Sequence, residues 1–253
     1  MIGRSFPSCR TSTSGSSVDE AESLLPVKAA PGYQWPDVDW RLYKLDILFV
    51  DRSDTIRSRL AAGVFDRIAE WNGFGRALYS RTAGTHADPS NPQSIARTVA
   101  LMTAASSIGV QAQQFTRPPE LFDVTDLDRY DIVVALDSTV RDTMLSQVQD
   151  PAYQEYYSAK VCLLTTFSMY ETDMTVLATG GTALLPRQLS SLLRPNMAKS
   201  KSVVDVSVPC LSSADSSQAL DATIQTLIVA NAGLVKYLSD AYPENMPEYD
   251  PME

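Results

Sequence analysis

The sequence predicts a three-layer α/β/α sandwich built on a four-stranded parallel sheet. Short continuous apolar runs, "LDILFV", "YDIVVALD" and "KVCLLTTF", recur along the chain, as strands buried on both faces require. Segments with apolar residues at helical spacing separate them, and a long helical stripe closes the chain. Strands and helices that alternate in this way imply right-handed crossovers, with helices on both faces of one sheet.

Residues 1–18 are basic, rich in Ser and Thr and free of acid before Asp19. A transit peptide has this composition and would direct the chain to an organelle such as the chloroplast stroma; a disordered tail has it too, and would leave the protein cytoplasmic. Residues 19–43 form a Pro-interrupted, aromatic extension ("PGYQWPDVDW") expected to pack on the domain through Trp35 and Trp40. The domain proper is expected over 44–242, with residues 243–253 as a tail. Strand "LDILFV" leads into a helix carrying Leu60, Val64, Phe65, Ile68 and Trp71, then "RALYSRTAGT" gives a second strand that ends in a Gly turn. Asn91-Pro92 is a helix start, with Asn as cap and Pro in the first turn, and Ile95, Val99 and Met102 continue it. After the third strand a helix runs through Val140, Met144 and Val148, and Asp150-Pro151 reads as its stop. Beyond the fourth strand, polar residues 169–202 read as an insertion or lid around a short helix at "ALLPRQLSSLL". The closing helix starts near Ser216-Ser217 and aligns Leu220, Ile224, Leu227, Ile228, Leu234 and Leu238.

Composition narrows the function classes. The net charge of −9 opposes a general nucleic-acid binder, which needs a basic surface to release counterions. No run approaches the roughly 18 apolar residues of a membrane span. Cys9, Cys162 and Cys210 are odd in number and scattered, giving neither a disulfide framework nor a metal-ligand spacing, and Cys162 reads as core. The single histidine, His86, sits in a turn-like setting and reads as a loop residue. No metal or cofactor is expected.

Ligands of such sheets sit at the carboxyl ends of the strands, and the residues there carry a resemblance. "FVDRSDTIRSRLAAGVF", Thr82-Ala83-Gly84-Thr85, "DRYDIVVALD" (Asp128 to Asp137) and "KVCLLTTFS" (from Lys160) follow one another as the motifs of the low-molecular-weight protein tyrosine phosphatases do, a family that shares its fold with arsenate reductases. The resemblance implies a phosphate loop over Asp51, Arg52, Ser53, Asp54, Thr55, Ile56, Arg57 and Ser58, in the family's strand, Cys-x5-Arg-Ser, helix order. It also shows departures. Asp51 stands where the family has its nucleophilic cysteine. Ser53 and Asp54 stand for a glycine and an asparagine in a left-handed turn, which Asp tolerates. The general acid of the late loop is replaced by Val208, followed by Pro209 and Cys210; Asp205 or Asp215 would substitute only if that loop were shifted.

Two unit charges about 4 Å apart at an effective dielectric near 20 repel by about 4 kcal/mol, and a phosphate dianion would meet roughly twice that from Asp51. The expectation is therefore a loop that supplies its own anion, with Arg57 paired to Asp51 or Asp54, Ser58 capping the helix, and Asp137 orienting the loop. The function expected is a non-catalytic pseudophosphatase, a binding or assembly subunit for a protein partner. The alternative is a phosphatase with altered activity that uses Asp51 itself. "FVDRSDT" also resembles the first motif of haloacid dehalogenase-like hydrolases, with Ser53 and Thr55 following Asp51, but Asp131 and Asp137 flank a strand rather than meeting at its end as a metal site would need.

Overall fold

The computed structural model describes residues 44–90, 95–169, 184–193, 205–206 and 216–241. Its elements are β1 (Leu45–Asp51), α1 (Arg57–Trp71), β2 (Leu78–Gly84), α2 (Ile95–Ser107), α3 (Gln113–Thr116), α4 (Asp126–Arg129), β3 (Ile132–Ala135), α5 (Ser138–Ser146), α6 (Pro151–Lys160), β4 (Val161–Leu163), a 3-10 helix (Leu164–Met169), α7 (Arg187–Ser190) and α8 (Ser216–Ala241). The four strands form one parallel sheet in the order β2-β1-β3-β4.

The period-two geometry of β1 sorts its side chains between two cores. Leu45, Ile47 and Phe49 join α1 and α8 on one face, where Leu60, Val64, Phe65, Leu227, Ile228 and Leu234 are fully buried. Leu48 and Val50 face α4, α5 and α6 through Leu127, Val140, Met144 and Tyr157. Helices on both faces and an all-parallel sheet are the architecture that the sequence predicts. Every member of the closing stripe, Leu220 to Leu238, lies in the first core.

Several expectations change in detail. The Asp150 carboxylate accepts from Ala152 N at 2.9 Å and Pro151 opens α6, so the dipeptide read as a stop starts a new helix. The same chemistry serves both ends: a proline that cannot extend α5 fits the first turn of α6. The α5 helix ends at Ser146, before Val148. Strand four spans only Val161–Leu163, and "LTTFSM" winds into the 3-10 helix that packs against α8. There Gly233 is required, since a Cβ on it would lie 1.9 Å from Phe167 O. Val99 and Trp71 are exposed, and α2 contributes Leu101 and Ala105 to the core instead. An apolar sequence on all sides of α2 left the phase of its stripe open. Asn91-Pro92 lies outside the described residues, as do residues 1–43 and most of 169–202, although Leu185 and, within α7, Leu189 are buried in the first core. Cys162 is buried as expected, but it is disulfide-bonded, with its partner outside the described residues. No helix among the described residues is long and apolar enough to cross a membrane.

Candidate functional site

Asp51 is the last residue of β1, and Arg57 opens α1, so residues 52–56 must reverse the chain at the carboxyl edge of the sheet. Two tethers fix that reversal: Thr85 N donates to Asp51 O at 3.0 Å and His86 N to Arg52 O at 2.7 Å. Asp54 takes φ +48°, the left-handed turn its short polar side chain tolerates. Gly84 permits the closeness, because a Cβ there would lie 2.5 Å from Asp54 N. Ser53 and Thr55 share a hydroxyl hydrogen bond of 2.8 Å, Arg52 is exposed, and Ile56 packs on the core.

The Asp51 side chain is turned into the loop. Its Oδ1 accepts from Ser53 N at 2.9 Å and Asp54 N at 2.6 Å, and its Oδ2 accepts from Ser58 N at 3.3 Å. A carboxylate thus takes three of the amides that a loop of this shape aims at an anion. Burial pushes the Asp51 carboxyl above the ordinary range, against the lowering pull of the Arg57 charge and of the amides of Asp54 and Ser58. Ser58 does not cap α1. The N-cap position of α1 supplies no side-chain cap, and the buried amide of Ser58 in its first turn is met by the Asp51 carboxylate instead.

Arg57 does not pair with Asp51 or Asp54. Its buried Nη1 forms an ion pair with Asp137 Oδ2 at 2.7 Å and donates to Val206 O at 2.7 Å. The amides already satisfy Asp51, whereas Asp137, at the end of β3, has one oxygen to spare after Oδ1 caps α5 by accepting from Val140 N. Val206 is itself moored, donating to Leu136 O at 3.0 Å. Asp205, considered above as a substitute acid, accepts from Ser138 N and Ser138 Oγ with its two oxygens. Val208, Pro209, Cys210 and Asp215 lie outside the described residues.

Asp54 has a set of partners that sequence reasoning missed. It is fully buried and accepts from Ser58 Oγ, Thr82 Oγ1, Arg59 Nη2 at 3.4 Å and Glu120 N at 2.9 Å, with Arg117 at 3.9 Å. Arg59 is fully buried too. The available signal was an arginine embedded in "RLAAGVF", five residues after a second carboxylate. Such a charge on the apolar side of a helix needs a buried partner. Asp131 accepts from Asp46 N near the opposite end of β3, far along the strand from Asp137, and no group of metal-binding side chains occurs among the described residues. His86 is exposed in a turn, its Nδ1 3.0 Å from Thr85 Oγ1.

Known proteins match this arrangement. The low molecular weight phosphotyrosine protein phosphatase family model matches residues 46–176. Among solved structures, a protein tyrosine phosphatase from Entamoeba histolytica superposes with a TM-score of 0.55 at 16% identity, covering 78% of this chain and 99% of its own. YfkJ from Bacillus subtilis superposes with a TM-score of 0.55 at 14% identity, covering 79% of this chain and 98% of its own. At such identities the superpositions speak for the fold. No curated protein sequence matches significantly. With its family match running from β1 past the 3-10 helix, the chain belongs to the low molecular weight phosphotyrosine protein phosphatase family.

Proposed function

We propose that this family member is a pseudophosphatase, a non-catalytic subunit that binds or assembles a protein partner. The observation that carries the reading is the Asp51 carboxylate accepting three loop amides. A phosphoryl group would have to displace that carboxyl group from the amides, and would be repelled by it wherever it is ionised. The arginine that would clamp phosphate is committed to Asp137 and the Val206 carbonyl. Sulfur is absent from the nucleophile position, and valine at 208 has no proton to give a leaving group.

The test is an assay of the purified chain on a chromogenic aryl phosphate, with and without Mg²⁺. The expected result is no turnover, with activity emerging only when Asp51→Cys and Val208→Asp are combined. Metal-dependent turnover abolished by Asp51→Asn would overturn the reading in favour of aspartyl chemistry. Metal-independent turnover sensitive to Arg57→Ala would overturn it in favour of an active phosphatase. The composition of residues 1–18 supports import into an organelle, which a fluorescent fusion with and without those residues would test.

A further inference from the structure

Beside the buried Asp54–Arg59 pair, a cavity of about 250 Å³ opens between α1, β2 and α3. Arg59, Asp66, Ser80, Arg81, Gln114 and Arg117 contribute to its walls. Half of these charges are already ion-paired: Arg59 with Asp54, and Arg117 with Glu120 at 3.0 Å. Two are not. Among the described residues, Asp66 and Arg81 form an ion pair neither with each other nor with any third group within 4.0 Å. Asp66 accepts hydrogen bonds only from neutral groups, Gln114 Nε2 at 3.1 Å and the Ser80 hydroxyl, while the Arg81 charge attracts it and the Glu70 charge opposes its ionisation. Arg59 adds an unmet donor, because its buried Nε has no hydrogen-bond partner.

Among the described residues, one cavity therefore presents a carboxylate and a guanidinium that attract each other without making an ion pair, and an unused guanidinium N–H. A simple anion would be repelled by Asp66, and a simple cation by Arg81. A species carrying both charges satisfies both walls, and a largely buried charge such as that of Asp66 is retained at low cost only when matched. We propose that this cavity binds a small zwitterion of the α-amino-acid class, with its carboxylate held by Arg81 and Arg59 and its ammonium group by Asp66. The volume accommodates a small amino acid and is below that of most drug-sized sites. The site is separate from the Asp51 loop, and the inference holds whether or not that loop is catalytic. Arg59 nevertheless belongs to both, since it also holds Asp54.

Calorimetric titration of the full chain with glycine and L-serine, and with acetate and methylammonium as the separate halves, tests the proposal. The amino acids bind, and each half binds at least about tenfold more weakly. Arg81→Ala and Asp66→Asn each weaken glycine binding by roughly ten- to a hundredfold, the range for charge-assisted hydrogen bonds. Arg81 is exposed, so its variant reports even if Asp66→Asn does not fold. No heat from either amino acid, halves that bind as tightly as the whole, or glycine binding untouched by Arg81→Ala would each overturn the proposal.

Discussion

Asp54 and Arg59 form an ion pair with both side chains fully excluded from solvent, and removal of one leaves the other without its buried counter-ion. Arg59→Leu should therefore destabilise the fold by about 3–5 kcal/mol, whereas Asp54→Asn with Arg59→Leu should cost clearly less than that single change. Chemical denaturation of the three variants checks the ordering. Asp66 gives a second residue-scale expectation, because burial pushes its carboxyl from 3.8 up to about 6. Between those values the folded chain keeps a proton that the unfolded chain releases. Stability is thus greatest below the unfolded value and declines as pH rises through the window, by up to about 3 kcal/mol. Urea unfolding across that window should show the decline, and the isosteric Asp66→Asn should flatten it. At this scale the sequence was legible where partners are local. A loop amide must meet a carboxylate two, three or seven residues away, so the Asp51 contacts follow from the strand-loop-helix pattern. The acceptor of Arg57 was not legible, because Val206 lies 149 residues further along the chain and only the closed sheet brings it near.

Among the elements, the end of β2 and the loop after β1 are interdependent. Gly84→Ala would press a methyl group onto the backbone at Ser53 and Asp54, atoms that cannot step aside as a flexible side chain would. The expected cost is about 1–3 kcal/mol, with faster hydrogen exchange at the amides of Ser53, Asp54 and Ser58 than elsewhere in α1. The strands and the long helices were readable because their apolar runs and stripes repeat. The α6 helix was not. Of its ten residues only Tyr157 is buried, and its hydroxyl donates to Asp128 at 2.7 Å, so little periodicity marks it. Its Tyr153 and Tyr156 side chains are 60% and 61% exposed, more than a tyrosine ordinarily presents to water in a core-facing helix.

For the molecule as a whole, α8 supplies the largest single share of the first core's stripe and is the last element among the described residues. Leu227→Ala and Ile228→Ala should each cost about 2–5 kcal/mol, because both side chains are fully buried against α1 and the sheet. Circular dichroism melts of each variant provide the measurement, and the loss should appear in one cooperative transition, since the first core includes both β1 and β3. The polar link Asn231 Nδ2 to Ala61 O, at 3.2 Å, adds a directional element to that packing. The two margins of the sheet differ in how they are finished. At one, Gly84 exchanges backbone hydrogen bonds with the chain at Glu120 and Phe122; at the other, β4 stops after three residues and the chain turns away into a 3-10 helix. Among the described residues the short β4 margin gives another polypeptide scant footing for strand-to-strand growth, whereas β2 is covered only at Gly84, so the fibril-forming hazard of an open sheet is confined to that one side.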